Sequence, residues 1–105
     1  MSFTLETLAA IIAERVRAGG ERSYTRKLIE EGPAKAAKKL AEEAVETALA
    51  AVSGDKQSVV AESADLLYHL LVVLEVRGVS LSEIYAELER RNAQSGIDEK
   101  ESRRG

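Results

Sequence analysis

The sequence predicts an all-α fold, a helical bundle built around an antiparallel helix hairpin. Apolar residues recur at spacings of three and four, which places them on one face of a helix, and strand-like alternation is missing. Charged residues make up 31% and aromatic residues 4%, a composition typical of helical proteins. We expect the 105 residues to form a single domain, 1–105. A chain this short buries about 60–70% of its unfolded surface, so a larger core requires a partner.

The net charge of −3 argues against a nucleic-acid surface. With no cysteine, the chain has neither a disulfide nor a thiolate metal site. The longest apolar run, residues 66–76, is too short to span a bilayer, and the start has no basic leader segment. These features predict a cytoplasmic protein without a membrane partner.

The first helix is predicted from Thr4 to the Gly19-Gly20 pair. A polar segment, residues 21–29, should end in a short helix that is broken at Gly32-Pro33. Pro33 suits the first turn of a third helix, which should run to about Val52. An apolar stripe supports this extent, and it comprises Ala37, Leu40 or Ala41, Ala44, Ala48 and Leu49.

Asp55 follows the Gly54 turn and is a good N-cap for a fourth helix, about Lys56 to Arg77. Its second half is apolar on nearly all sides, which predicts that other helices surround it. Gly78 should end it, and Ser80-Leu81-Ser82-Glu83 is a capping box that starts a fifth helix at Leu81. We expect the fifth helix to carry Ile84, Tyr85 and Leu88 toward the core. The polar tail, residues 94–105, should be loosely held.

Four acidic residues on the third and fourth helices are predicted to face one another. At about 100° per residue, Glu43 and Glu46 share one helical face, as do Glu62 and Asp65. Glu46 and Glu62 each lie eight residues from Gly54, so the hairpin should pair them. Glu43 and Asp65 each lie eleven residues away and should pair likewise.

Converging carboxylates repel unless they are protonated or bind a cation. Oxygen ligands without cysteine favour a hard ion such as Mg²⁺, with Mn²⁺ as a second possibility. The alternative is that these residues are solvated faces of ordinary helices. Lys35, Lys38 and Lys39 crowd the start of the third helix, where they either bind an anion or pair with Glu42 and Glu43. A cation beside a basic patch suits a polyphosphate.

The chain resembles the phosphoribosyl-ATP pyrophosphatase family of the all-α, MazG-like nucleotide pyrophosphohydrolases. The residues that carry the resemblance are Ser23-Tyr24-Thr25-x-Lys27-Leu28, Gly32-Pro33, Glu42-Glu43-Ala44-Val45-Glu46, Glu62-Ser63-Ala64-Asp65-Leu66-Leu67-Tyr68-His69, Gly78-Val79-Ser80-Leu81 and the tail from Ser95 to Arg103. It implies Mg²⁺-dependent hydrolysis of phosphoribosyl-ATP to phosphoribosyl-AMP and pyrophosphate in histidine biosynthesis, by a homodimer that completes a shared bundle. It also implies roles for the acidic residues: Glu43, Glu46, Glu62 and Asp65 as metal ligands, with Glu42 holding or helping to deprotonate the attacking water.

Further residues are candidates for substrate binding. Arg22, Tyr24, Thr25 and Lys27 belong to a polar segment placed to close over substrate, or to an ordinary capped loop. His69 follows Glu62 by nearly two turns, so it either contacts substrate or is a core histidine with its hydrogen bonds satisfied. Tyr68 and Tyr85 are assigned to packing. Lys100 and Arg103 either fold over phosphate in the dimer or belong to a solvated terminus.

Two other functions fit the same pattern. One is a MazG-like house-cleaning pyrophosphohydrolase that acts on (deoxy)nucleoside triphosphates with the same ligands. The other is a non-catalytic helical dimerisation module, which would show no dependence on Mg²⁺.

Overall fold

The computed structural model describes residues 2–18, 23–93 and 103, and these residues form α-helices without any strand. This confirms the predicted all-α fold, and the helix boundaries agree with the prediction to within a residue or two. The helices, in chain order, are α1 (Leu5–Ala18), α2 (Tyr24–Glu30), α3 (Pro33–Ser53), α4 (Lys56–Arg77) and α5 (Leu81–Ala93).

Local hydrogen bonds explain where the helices begin and end. The Asp55 side chain accepts a hydrogen bond of 2.8 Å from the Ser58 N–H and so caps the start of α4. Gly78 ends α4 in the left-handed conformation, with φ of 68°, which disfavours residues with a Cβ. Ser80 and Glu83 form the predicted capping box, since each side chain accepts from the other's backbone N–H.

The hydrophobic core lies where α1, α2, α4 and the first turn of α3 meet. Its buried members come from all four helices, and partly buried residues such as Leu5 and Leu8 pack around them. Residues at this core are buried almost completely, since Val72 is 0% and Ile12 1% exposed. The buried members are Ile12, Leu28, Ala36, Leu71 and Val72.

The hairpin of α3 and α4 is the central packing unit, but α3 does not use the face that carries its apolar stripe. The more buried residues of α3 recur at alternating spacings of four and three: Ala36, Leu40, Glu43, Thr47 and Ala50. We call this row of five residues the seam. Its position follows from its small members, because Ala36 and Ala50 let a neighbouring helix approach closely.

The apolar stripe of α3 is mostly exposed, apart from the half-buried Leu40. Leu49 is 61% exposed, and Ala37, Ala41, Ala44 and Ala48 are exposed too. The apolar residues of this face point away from α4, so nothing in the described part of the single chain covers them.

Two packing predictions were wrong within the single chain. Leu67 and Leu70 of α4 are 40% and 38% exposed, since α4 packs against α1, α2 and α3 and leaves one side open. Tyr85 and Leu88 of α5 are 43% and 48% exposed rather than turned into the core, whereas Ile84 is half-buried. None of the helices in the described ranges is long and apolar enough to cross a membrane.

Candidate metal and phosphate site

Three acidic side chains from α3 and α4 converge at the middle of the hairpin. Glu43, Glu62 and Asp65 each offer one carboxylate oxygen, and these oxygens all lie within 4.8 Å of one another. Glu43 belongs to the seam, so its carboxylate is held between two helices instead of extending into water. All three residues are among the expected metal ligands, and the structure brings them together. We call these three residues the acidic triad.

The surroundings of Glu62 disfavour the charged form of its carboxyl group. Its Oε2 atom is buried and has no hydrogen-bond partner within the described part of the chain. Burial raises the pKa of Glu62 above its ordinary value, and the negative charges of Glu46, Glu43 and Asp65 raise the pKa further. A buried acceptor of this kind has a large desolvation cost, which a bound cation would offset.

Glu46 and Glu42 stand beside the triad. Glu46 is exposed, yet among the neighbouring charges its carboxylate raises the pKa of Glu62 the most. This agrees with the predicted pairing of Glu46 with Glu62. Glu42 forms an ion pair with Lys39, with 3.2 Å between the Lys39 Nζ and Glu42 Oε1 atoms. Lys39 and Glu42 are three positions apart, whereas the pairs expected for Lys38 and Lys39 were four positions apart.

Sequence reasoning missed one residue of this site, Thr47. Its hydroxyl donates to two backbone carbonyls, that of Glu43 at 2.7 Å and that of Glu62 at 3.0 Å. The signal was present, because Thr47 is four residues after Glu43 and therefore lies on the same face. It was overlooked because a threonine in a helix carries no charge and resembles any neutral residue.

A polar network joins α2 to α4 directly beside the triad. His69 is 6% exposed, and its Nδ1 atom lies 2.8 Å from the backbone oxygen of Asp65. Its other nitrogen, Nε2, lies 3.1 Å from the hydroxyl of Tyr24. Thr25, which is 1% exposed, hydrogen-bonds to the Tyr68 hydroxyl. His69 is therefore a buried histidine whose two nitrogens have partners in the protein, one of the two roles expected for it.

Lysine side chains line a cavity of about 240 Å³ between α2 and the start of α3. Burial raises the pKa of Tyr24, although the nearby Lys39 acts in the opposite direction. Hydrogen bonding to Glu42 raises the pKa of Lys39, so this ammonium group remains charged. The lining residues are Tyr24, Lys27, Leu28, Glu31, Lys35 and Lys39. We call this space the lysine cavity.

The remaining candidates for substrate binding have other locations. Lys38 is exposed on α3 and is not among the residues that line the lysine cavity. Arg103 is exposed. Arg22, Lys100 and most of the tail predicted at residues 94–105 lie outside the described residues.

The chemistry available to this arrangement is that of a hard cation and a polyanion. The triad supplies only oxygen donors, the preferred ligands of Mg²⁺ and Mn²⁺. Lys39, which lines the lysine cavity, forms an ion pair with Glu42, the residue that precedes Glu43 of the triad. Together they can hold an extended phosphorylated molecule with its negative charge shared between lysines and a cation.

Comparison with known proteins gives concordant results over almost the whole chain. The family model described as phosphoribosyl-ATP pyrophosphohydrolase matches residues 5–92. A phosphoribosyl-ATP pyrophosphatase of Methylobacterium nodulans is 59% identical over 103 residues, which are 98% of this chain and 96% of that protein. The protein of the same name from Azorhizobium caulinodans is 57% identical over 100 residues, 95% of this chain and 92% of its own length.

Proposed function

The chain belongs to the phosphoribosyl-ATP pyrophosphohydrolase family, and we propose that it hydrolyses phosphoribosyl-ATP to phosphoribosyl-AMP and pyrophosphate with a divalent cation held by Glu43, Glu46, Glu62 and Asp65. As an enzyme it is a hydrolase that acts on a phosphoanhydride, in histidine biosynthesis. The observation that carries the site assignment is the Glu62 Oε2 atom, which is buried near three other carboxylates and has no hydrogen-bond partner among the described residues.

A divalent cation fits this donor set. Without a cation, burial raises the pKa of Glu62, and the negative charges of Glu46, Glu43 and Asp65 raise it further. The set contains oxygen donors alone, which favours Mg²⁺ over softer metals. When bound, the cation would offset the negative charge of the polyphosphate and of the departing pyrophosphate.

The protein's own residues bind and orient the substrate. Lys27, Lys35 and Lys39 line one cavity, where their ammonium groups hold phosphate oxygens. The one acidic residue in that lining, Glu31, leaves an excess of positive charge. Tyr24 forms part of the same wall and offers its ring and hydroxyl to the substrate. We assign to Glu42, which is exposed and precedes Glu43 in the sequence, the role of orienting the attacking water and accepting its proton.

We expect the active form to be a homodimer in which α3 and α4 meet their counterparts in a second copy. Val45, Leu49 and Val52 form an exposed apolar row on α3, with exposed fractions of 59%, 61% and 87%. Val60 and Leu67, seven residues apart on α4, are exposed as well. An apolar surface that extends over several helical turns is typical of a protein interface.

The test is pyrophosphate release from phosphoribosyl-ATP with and without Mg²⁺, beside a panel of deoxynucleoside triphosphates. Hydrolysis should require Mg²⁺, and it should disappear in Glu46→Gln and Asp65→Asn, which remove a ligand charge without changing side-chain size. Glu75→Gln, a matched change at an exposed position of α4, should leave the rate unchanged. Faster cleavage of a deoxynucleoside triphosphate would refute the substrate assignment, and active Glu46→Gln and Asp65→Asn variants would refute the ligand assignment.

A further inference from the structure

The hydroxyl of Thr47 joins the two helices that carry the acidic triad. It lies 2.7 Å from the backbone oxygen of Glu43 in its own helix and 3.0 Å from that of Glu62 in α4. Both partners are carbonyl oxygens, which only accept, so the hydroxyl donates its one proton to the two in a shared hydrogen bond. The backbone oxygens of two members of the triad are thus tied to one atom.

Only the first of these two bonds has a local explanation. Serine and threonine side chains in helices often bond to the carbonyl four residues earlier, as Ser53 does to Leu49 at 3.0 Å. The second bond leaves α3 and reaches a residue fifteen positions away on α4. A helical carbonyl has a second lone pair, so Glu62 accepts it without losing its bond within the helix.

The neighbours of Thr47 in the seam cannot replace this bond. Ala36, Leu40 and Ala50 have no polar side-chain atom, and Glu43 is an acceptor when ionised. At the level of the triad, carboxylate oxygens of Glu43, Glu62 and Asp65 lie within 4.8 Å of one another, and like charges at such distances repel. The Thr47 hydroxyl joins the backbones of α3 and α4 at the same level.

We propose that Thr47 is a positioning residue of the cation site: by bonding the backbone oxygens of Glu43 and Glu62 it fixes the separation of α3 and α4 at which their carboxylates share one ion. This inference rests on the proposed function, because it concerns the same cation. The Thr47 hydroxyl bonds to backbone oxygens and not to the carboxylate atoms, so its effect is to keep the ligands assembled before the cation arrives.

Three variants separate this role from simple packing. Thr47→Val keeps the branched shape of the side chain and removes the hydroxyl. Thr47→Ser keeps the hydroxyl and removes the methyl group. Ser53→Ala removes a hydroxyl whose bond stays within α3, so it controls for the loss of a local helix bond.

The first measurement is Mn²⁺ binding to the metal-free full-length protein by isothermal titration calorimetry, with thermal unfolding in EDTA as a separate readout. Loss of a residue that orients metal ligands weakens metal binding about 10- to 100-fold, which we expect for Thr47→Val. Thr47→Ser and Ser53→Ala should bind Mn²⁺ as the wild type does. If Thr47→Val unfolds, Thr47→Ala provides the same comparison with a better helix former.

The second measurement is steady-state hydrolysis of phosphoribosyl-ATP as a function of Mg²⁺ concentration. Thr47→Val should need correspondingly more Mg²⁺ and reach a similar kcat at saturation, with KM for the substrate unchanged. Mn²⁺ binding by Thr47→Val equal to that of the wild type, or equal losses in Thr47→Val and Thr47→Ser, would overturn the proposal. A wild type that neither binds Mn²⁺ nor hydrolyses the substrate would overturn the proposed function itself.

Discussion

Replacing Tyr24 by phenylalanine removes one hydroxyl whose partner is a buried histidine. The backbone oxygen of Asp65 only accepts hydrogen bonds, so the Nδ1 atom of His69, 2.8 Å away, carries the proton in a neutral ring. The Nε2 atom is then the acceptor, and the Tyr24 hydroxyl at 3.1 Å is its donor. Tyr24→Phe therefore leaves a buried acceptor without its partner.

The size of the effect follows from the exposure of the two residues. An unsatisfied buried acceptor costs about 1–3 kcal/mol. His69 is 6% exposed, which favours a high value, but Tyr24 is 49% exposed, so water can reach part of the vacated space. We therefore expect the lower end, about 1 kcal/mol, which lowers the melting temperature of a domain of this size by about 4–8 °C.

Thermal unfolding of the metal-free protein, followed by circular dichroism above the titration range of histidine, measures this change. Tyr85→Phe is a matched control, because Tyr85 is 43% exposed and its hydroxyl bonds to the exposed Glu6 carboxylate. The melting temperature of Tyr85→Phe should equal that of the wild type. His69 is the only histidine, so a ¹H–¹⁵N correlation spectrum reports its tautomer without ambiguity. Equal melting of the two variants, or a proton on Nε2, would refute the reasoning.

Two further outcomes follow from the same structure. The pKa of Glu62 is raised in the folded protein, so its contribution to stability is present below the unfolded value of about 4.5 and is lost as the pH rises through the folded value. Glu62→Gln carries an amide that does not ionise, so this variant should be more stable than the metal-free wild type at neutral pH and similar to it near pH 4. Urea unfolding in EDTA measures the difference, and equal stability at neutral pH would contradict the prediction. Leu49→Glu places a charge on the exposed apolar row of α3 and should yield monomers in sedimentation velocity, whereas Gln57→Glu, at an exposed polar position, should sediment as the wild type does. An unchanged mass for Leu49→Glu would argue against that interface.

The positions of the helices could be predicted from the sequence because local chemistry sets them. Asp55 and the pair of Ser80 and Glu83 satisfy N–H groups that no helix can satisfy for itself, and Gly78 adopts a conformation that other residues avoid. Such signals depend on neighbours in sequence alone. The boundaries they predict therefore hold whatever the helices later pack against.

The faces of the helices could not be predicted in the same way. A row of alanine and leucine that includes Leu49 satisfies the periodicity of a buried stripe, yet the seam runs through Ala36, Glu43 and Ala50. Periodicity measures where apolar residues cluster and does not say whether the chain itself or another molecule covers them. In a chain of this size, a face that a second copy covers is indistinguishable in sequence from a core face.

The acidic residues of the site could be predicted from the sequence because their charges follow a regular spacing. Spacing about Gly54 brought together Glu43, Glu62 and Asp65, because carboxylates on one face of a helix are conspicuous. The spacing did not predict Thr47, whose importance lies in a backbone contact across the hairpin. Contacts between a hydroxyl and a distant carbonyl depend on helix separation, which no pattern along one helix encodes.

The turn at Gly54 fixes more than the direction of the chain. Because each residue turns a helix by about 100°, inserting one residue between Glu46 and Glu62 would rotate the rest of α4 and carry Asp65 off the hairpin interface. Surface loops usually tolerate insertions, but here the number of residues in the connection is itself a requirement of the site. The same rotation would turn Leu71 and Val72 out of the core, so we expect a single insertion or deletion in this hairpin to disrupt the acidic triad and the packing of α4 together.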